Sequence, residues 1–229
     1  ELKNYDNSIN FKDLENLDTR SLVETLISGY LDEKKIFTHP VPNLIFTRDI
    51  AVAIGKTLLL TWNKKDIRNR ENILSKYVFS NFKAFKDMNI YDFHKEHPNL
   101  SIEGGDILIL DEQRVCIGIS ERTALESIKK ISNLIFKEGF KSIFAINLPK
   151  ERAYMHLDTV FTLTNKNEAL IYPPFLNNNT TSEIHVFKNS NNHFISHENL
   201  INTLKDDGLE LKPIYCGGES KIMQNREQW

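Results

Sequence analysis

The sequence predicts an α/β protein assembled from a repeated ββαβ unit, and three observations carry that reading. Short strand-forming runs come in pairs, each pair is followed by a stretch with helical periodicity, and the order recurs about three times without visible identity between copies. A chain of 229 residues with 40% hydrophobic content can bury one sizeable core, so a single globular unit is expected.

The elements follow in order. In "DLENLDTRSLVETLISGYL" apolar residues at helical spacing predict a helix from Asp13 to about Leu31, ending before the breaker "THPVPN". "NLIFTRDIAVAIGKTLLLTW" holds two strand-forming runs around Gly55 and Lys56, a hairpin signal, and "NKKDIRNRENILSKYVFSNF" returns to helical character. The unit repeats as "SIEGGDILIL" and "RVCIGIS" about the turn "DEQ". The helix "ERTALESIKKISNLIFKEG" follows, with Ala124, Ile128, Ile131 and Ile135 on one face. Ser120 is placed to cap this helix, Glu121 to favour its positive end and Gly139 to stop it. "KSIFAINL" closes the unit as a strand. "AYMHLDTVFTLTN" and "ALIYP" predict another strand pair, which "ENLINTLKDD" and "LELKPIYC" complete with a helix and a strand. The polar stretch "NNNTTSEIHVFKNSNNHF" reads as an exposed connection or as asparagines surrounding a small strand.

Composition narrows the function. With 29 basic and 31 acidic residues interspersed along the chain, no basic stretch is gathered for a nucleic acid. No window approaches the roughly 18 apolar residues of a membrane span. The N-terminus "ELKNYDNSIN" lacks the regions of a signal peptide, so a soluble, cytoplasmic protein is expected. Cys116 and Cys216 lie far apart without CxxC or histidine spacing, which predicts two reduced thiols in the packing rather than a zinc site or a disulfide.

The chemistry-bearing residues gather at the ends of the expected strands. Asp49 follows "NLIFTR", Glu103 and Asp106 bracket Gly104 and Gly105, and His156 stands two residues from Asp158. Within a strand, His156 and Asp158 would project to the same face. The glycine pair allows positive φ and close backbone approach, and could turn a carboxylate inward at the start of a buried strand. Three or four carboxylates beside one histidine repel one another unless a cation sits between them. A second histidine for a transition metal is lacking, as is the dense Asp/Asn spacing of a calcium loop, so no metal is expected. A planar guanidinium fits better, because two carboxylates can each accept a bidentate pair from it.

"PNLIFTRD", "IEGGDILIL", "GISERT" and "MHLDTVFT", in this order, resemble the signature blocks of arginine deiminases in the guanidino-group-modifying, or pentein, superfamily. The resemblance runs from about residue 42 to "PIYCGGESKIMQNREQW". It implies a pentein-type α/β propeller fan of ββαβ modules with the site on its axis, incomplete in this chain. Residues 1–38 would be the end of a helical insertion, and residues 39–229 part of the catalytic domain.

By matching position, the resemblance makes Glu103 and His156 the catalytic acid-base pair and Asp49 and Asp158 the guanidinium-binding carboxylates. Asn43 and Phe46 would line the pocket, while Arg122 and Arg68 would hold the substrate's α-carboxylate. The plainer alternative for Arg68 is pairing with Glu71. Gly104, Gly105 and Asp106 would brace the turn. The implied reaction hydrolyses free L-arginine to L-citrulline and ammonia through a cysteine thiolate, with no cofactor.

Neither Cys116 nor Cys216 occupies the place of the family's nucleophile. The thiolate is therefore expected from a chain segment not present here, and this chain alone is expected to be inactive. Module edges left exposed make a homo-oligomer an expectation. A related amidinotransferase or dimethylarginine hydrolase, and an arginine-binding remnant without a nucleophile, stay open as alternatives.

Overall fold

The computed structural model describes residue 2 and residues 11–176, 183–190, 192–218 and 220–227. The asparagine-rich run 177–182 lies outside the described residues.

The N-terminal segment is not one helix. A turn of helix at Lys12–Glu15 is followed by α1 (Thr19–Ser28). Asp18 caps α1 by accepting from the Arg20 and Ser21 amides, and Gly29 ends it at φ 84°. The expected single helix breaks because a capping aspartate competes with helix continuation in its middle. Tyr30 and Leu31 belong instead to a two-stranded hairpin, β1 (Tyr30–Leu31) and β2 (Lys34–Lys35). This region has its own small core around Leu14, Ile36 and Phe37.

The repeated unit then follows. β3 (Ala51–Ile54) and β4 (Thr57–Leu60) pair antiparallel across the Gly55-Lys56 turn. Helix α2 (Asn69–Asn81) crosses to β5 (Asn89–Asp92), which pairs parallel with β4. β5 is a strand that the sequence reading passes over, because "NIYD" is too short and polar to stand out from its surroundings.

The second unit comprises β6 (Ile107–Ile109), β7 (Arg114–Ile119), α3 (Leu125–Lys137) and β8 (Ser142–Asn147), with the same antiparallel-then-parallel pairing. The third joins β9 (Phe161–Asn165) and β10 (Glu168–Ile171) to helix α4 (Leu200–Asp206) and β13 (Lys212–Tyr215). Between β10 and α4 runs a hairpin of β11 (Ile184–Lys188) and β12 (His193–Ser196). It settles the ambiguity of the polar stretch by adding β11 antiparallel to β8, giving the sheet order β12-β11-β8-β7-β6.

Strand alternation explains how the second unit binds the others. Val115 and Ile117 of β7 and Ile143 and Ala145 of β8 face one core, shared with Ile54 and Leu59 of the first unit and Ile128, Ile131 and Ile135 of α3. Cys116, Phe144 and Ile146 face the opposite way into a second core with Phe161, Ala169, Leu200 and Leu204 of the third unit. Each of the three α3 isoleucines is fully buried, which is worth about 1.5–3 kcal/mol apiece relative to exposure.

Ala124 is not on that apolar face. It is exposed and precedes the first turn, and no side chain caps α3. Ser120 is therefore not its cap: its hydroxyl accepts from the Arg122 and Thr123 amides and donates to Asp106. Gly139, at φ 100°, does end the helix.

Candidate active site

The site forms where the turns preceding β3, β6 and β9 converge. Asp49 does not close a strand; it lies in a helical turn, Thr47–Ile50, and its carbonyl accepts a 2.5 Å hydrogen bond from the Thr61 hydroxyl. The paired bridge between Trp62 and Ile102 brings the first unit against the segment before Glu103. Across that seam the Lys64 amide donates to Glu103 Oε1 at 2.9 Å. Glu103 is fully buried, as a carboxylate turned inward at the mouth of a strand should be.

The reason for the glycine pair differs from the expected one. Neither Gly104 nor Gly105 has positive φ; with Asp106 they form a 3₁₀ turn. A Cβ on Gly104 would stand 1.9 Å from the Arg48 carbonyl oxygen, and one on Gly105 would stand 2.6 Å from His156 Nδ1 and 3.1 Å from Asp49 Oδ1. The pair is required by close approach, which lets the Asp49 turn, the Glu103 turn and the imidazole share one small volume.

His156 and Asp158 do not alternate along a strand either. His156 is extended and Leu157–Thr159 is a 3₁₀ turn, so no period-two rule relates the two side chains. The turn nevertheless delivers His156 to the centre of the cluster. Its Nε2 lies 2.8 Å from Glu103 Oε2 and its Nδ1 lies 3.8 Å from Asp49 Oδ1.

Burial disfavours the imidazolium, but the Glu103 hydrogen bond and the charges of Asp106, Asp49 and Glu103 outweigh it and hold His156 above the usual imidazole range. For Glu103, burial pushes the carboxyl up. The His156 hydrogen bond, the Lys64 amide and the charges of His156 and Arg122 prevail and keep it low. The pair is thus tuned toward carboxylate and imidazolium. Asp158 is raised, chiefly by burial, with the nearby charges of His156 and Arg48 opposing.

The four arginines near the cluster have different surroundings. Arg68 is buried and holds Asp49 Oδ2 at 2.7 Å and Glu71 Oε2 at 2.8 Å, with a longer bond to the Asn43 carbonyl. Arg70, two residues on, instead donates to the His39 carbonyl and lies over the Phe37 ring. Arg122 sits in the turn before α3, not at the helix start. Its Nη1 is 3.5 Å from Glu103 Oε1, Nη2 is 3.6 Å from Met155 Sδ, and the buried Nε has no hydrogen-bond partner among the described residues.

The fourth, Arg48, is the residue that the sequence reading misses. Its Nε lies 3.6 Å from Asp158 Oδ2 and its Nη2 donates to the Ile107 carbonyl at 3.0 Å. The available signal was its place beside Asp49 in "FTRD". Asn43 joins the cluster through its backbone, which donates to Glu71 Oε1 at 3.0 Å, whereas the Phe46 side chain is exposed.

Asp106 is fully buried beneath the cluster, bonded to the Ser120 hydroxyl at 2.7 Å and the Leu157 amide at 3.1 Å; burial pushes its carboxyl up to about 7. Cys116 is buried in β7 and burial raises its thiol, while Cys216 follows β13; neither forms a disulfide. No group of three His, Cys, Asp or Glu side chains among the described residues is arranged to hold a metal ion. No helix among them is long and apolar enough to cross a membrane. A cavity of about 570 Å³ beside α1 and the β1-β2 hairpin is lined by Ser21, Thr25, Tyr30 and Leu31. It contains none of the clustered groups, so the site is placed by its chemistry rather than by cavity size.

Repeated ββαβ units whose turns converge on a buried ring of carboxylates around one imidazole define the class: a pentein-type α/β protein. The chain belongs to the arginine deiminase family, whose model matches residues 4–229. It is 32% identical over 211 residues to the arginine deiminase of Listeria monocytogenes serovar 1/2a, covering 89% of this chain and 51% of the relative. To that of Limosilactobacillus reuteri it is 34% identical over 199 residues, covering 84% and 48%. The chain therefore spans about half the length of these curated relatives. Among solved structures it is similar to the product-bound N-terminal domain of ArgZ, an arginine dihydrolase from the ornithine-ammonia cycle in cyanobacteria. There the TM-score is 0.50 at 25% identity, covering 58% of this chain and 45% of that one.

Proposed function

We propose that the protein hydrolyses the guanidinium group of free L-arginine to L-citrulline and ammonia. The observation that carries the reading is the 2.8 Å Glu103–His156 pair, buried beside Asp49 and near Asp158 in a volume shaped by two glycines. Carboxylates so placed recognise a planar cation, and an imidazole among them can move protons. The names of the curated relatives support the same substrate and reaction.

In this reading Asp49 and Asp158 hold the guanidinium and a thiolate attacks its carbon. The C–N bond to one terminal nitrogen breaks as His156 protonates that nitrogen, releasing ammonia. Water then gives a proton back to His156 and attacks the amidino-thioether. Collapse of the adduct expels the thiolate, releases the remaining hydroxyl proton to the departing ammonia or solvent, and leaves the ureido group of citrulline. Glu103 keeps His156 charged for the first proton transfer and stabilises the positive reacting centre.

The thiolate is assigned to neither Cys116, which is sealed in β7 with a raised thiol, nor Cys216, which follows β13 with its amide bonded to the Ile171 carbonyl at the end of β10, but to a cysteine outside these 229 residues. Arg122, whose buried Nε has no hydrogen-bond partner among the described residues and whose two other contacts are long, has donors to offer an α-carboxylate. Arg68 acts instead by holding Asp49 in place.

The test is citrulline and ammonia formation from arginine by the full-length protein. Wild type is expected to form both in equal amounts, Asp158→Asn to lose arginine binding, and His156→Ala to bind arginine without turnover. Citrulline production at the wild-type rate by either variant overturns the reading. Release of ornithine, or of dimethylamine from dimethylarginine in preference to ammonia from arginine, assigns the site to another reaction.

A further inference from the structure

We propose that Asp106 is a positioning residue for His156, fixing the turn that carries the imidazole and setting the electrostatic field in which it titrates. Its carboxyl group ties three separate segments together. The residue itself ends the Glu103-Gly104-Gly105 turn, Oδ1 accepts from the Leu157 amide directly after His156, and Oδ2 accepts from the Ser120 hydroxyl where β7 ends. Gly118 makes room for it, since a Cβ there would lie 2.5 Å from Oδ1.

A carboxyl group used only as a brace could be replaced by an amide. The Ser120 hydroxyl and the Leu157 amide both donate to Asp106, however, and with the Thr123 hydroxyl they favour the charged form in a site where burial opposes it. Burial on one side and these hydrogen bonds with the His156 charge on the other leave the group poised at about 7, and its charge acts on His156.

The other charged groups around the imidazole are accounted for. Glu103 faces it from the same glycine turn, Asp49 from the turn before β3, and Asp158 from its own turn with Arg48 behind. Arg68 and Arg122 reach it through Asp49 and Glu103. Asp106 differs from the other three carboxylates in making no ion pair among the described residues, so its own charge is what it adds.

The inference deepens the acid-base role proposed for His156, and its test does not require turnover. The titration midpoint of the His156 imidazole is measured by NMR in the full-length protein, with the resonance assigned by its loss in His156→Gln. Asp106→Asn keeps the shape and can still accept from Leu157. It is expected to lower the His156 midpoint by on the order of one pH unit. Ser120→Ala removes one donor to Asp106 and is expected to lower it by less; it serves as the deciding variant should Asp106→Asn fail to fold. An unchanged midpoint in a natively folded variant overturns the inference and leaves Asp106 a brace. A shifted midpoint in a protein that forms no citrulline from arginine retains the inference and overturns the proposed function.

Discussion

Two arginines with the same expected role have opposite surroundings, and the difference sets what their removal should do. Arg68 lies between Asp49 and Glu71, both largely or fully buried, with bonds of 2.7 and 2.8 Å. Deleting it leaves two buried carboxylates without their cation, and Arg68→Ala should destabilise the fold by about 3–5 kcal/mol. Urea denaturation reads this directly, and a change below about 1 kcal/mol would show that the network contributes little. Arg122 has long contacts and one nitrogen without a partner among the described residues, so Arg122→Leu should leave stability nearly intact. It should instead weaken arginine relative to agmatine, which lacks the carboxylate, by about tenfold to a hundredfold, the loss of a charged hydrogen bond worth about 1.5–3 kcal/mol. Unaltered selectivity would remove Arg122 from carboxylate recognition. The residue types of the site were legible because acids, arginines and one histidine cluster in short runs of polar and small residues at strand mouths. Which arginine pairs with which acid was not, because Arg68 and Asp49 are 19 residues apart and meet only once β3, β4 and α2 have folded.

Among the elements, the strand pairs and the amphipathic α3 were legible from period-two and period-3.6 patterns. The functional turns were not. Asp49, Glu103 and His156 each sit beside or within a single turn of helix or 3₁₀ helix, where no periodicity has room to develop. Glycine shows how context decides the role of an element's end. Gly139 has φ 100° and open space around its missing side chain, so Gly139→Ala should cost about 1–2 kcal/mol of stability and leave the site unchanged. Gly105 has ordinary φ but no space, and Gly105→Ala would press a methyl against His156 Nδ1 and Asp49. Its expected outcome is a loss of arginine binding and turnover in a protein that still melts cooperatively. Comparing the two variants by thermal melting and calorimetric titration with arginine checks both arguments at once. Normal binding by Gly105→Ala would mean that the turn can yield.

For the whole molecule, the three turns join modules that also share two apolar cores, so protonation at the site is linked to the stability of the entire chain. Asp106, Asp158 and His156 all have folded-state values above their ordinary ones. The folded protein therefore binds more protons than the unfolded chain across the interval between, and stability must fall as pH rises through it. For Asp106 the stabilisation is complete below about 3.8 and is lost as pH rises to about 7. For His156 it is complete below about 6.5 and is lost above that, through its raised folded value. Glu103, held low, works oppositely, with its contribution present above about 4.5 and lost as pH falls through its depressed folded value. Between these limits the losses dominate, and the urea midpoint should decline from pH 5 to pH 8. Asp106→Asn removes one titrating group from that interval and lowers the His156 midpoint as well, so its decline should be shallower than that of the wild type between pH 5 and 7 and stay shallower above pH 7. Parallel curves for variant and wild type over the lower interval would mean that Asp106 keeps its charge throughout, and that the buried turn is more polar than its packing implies.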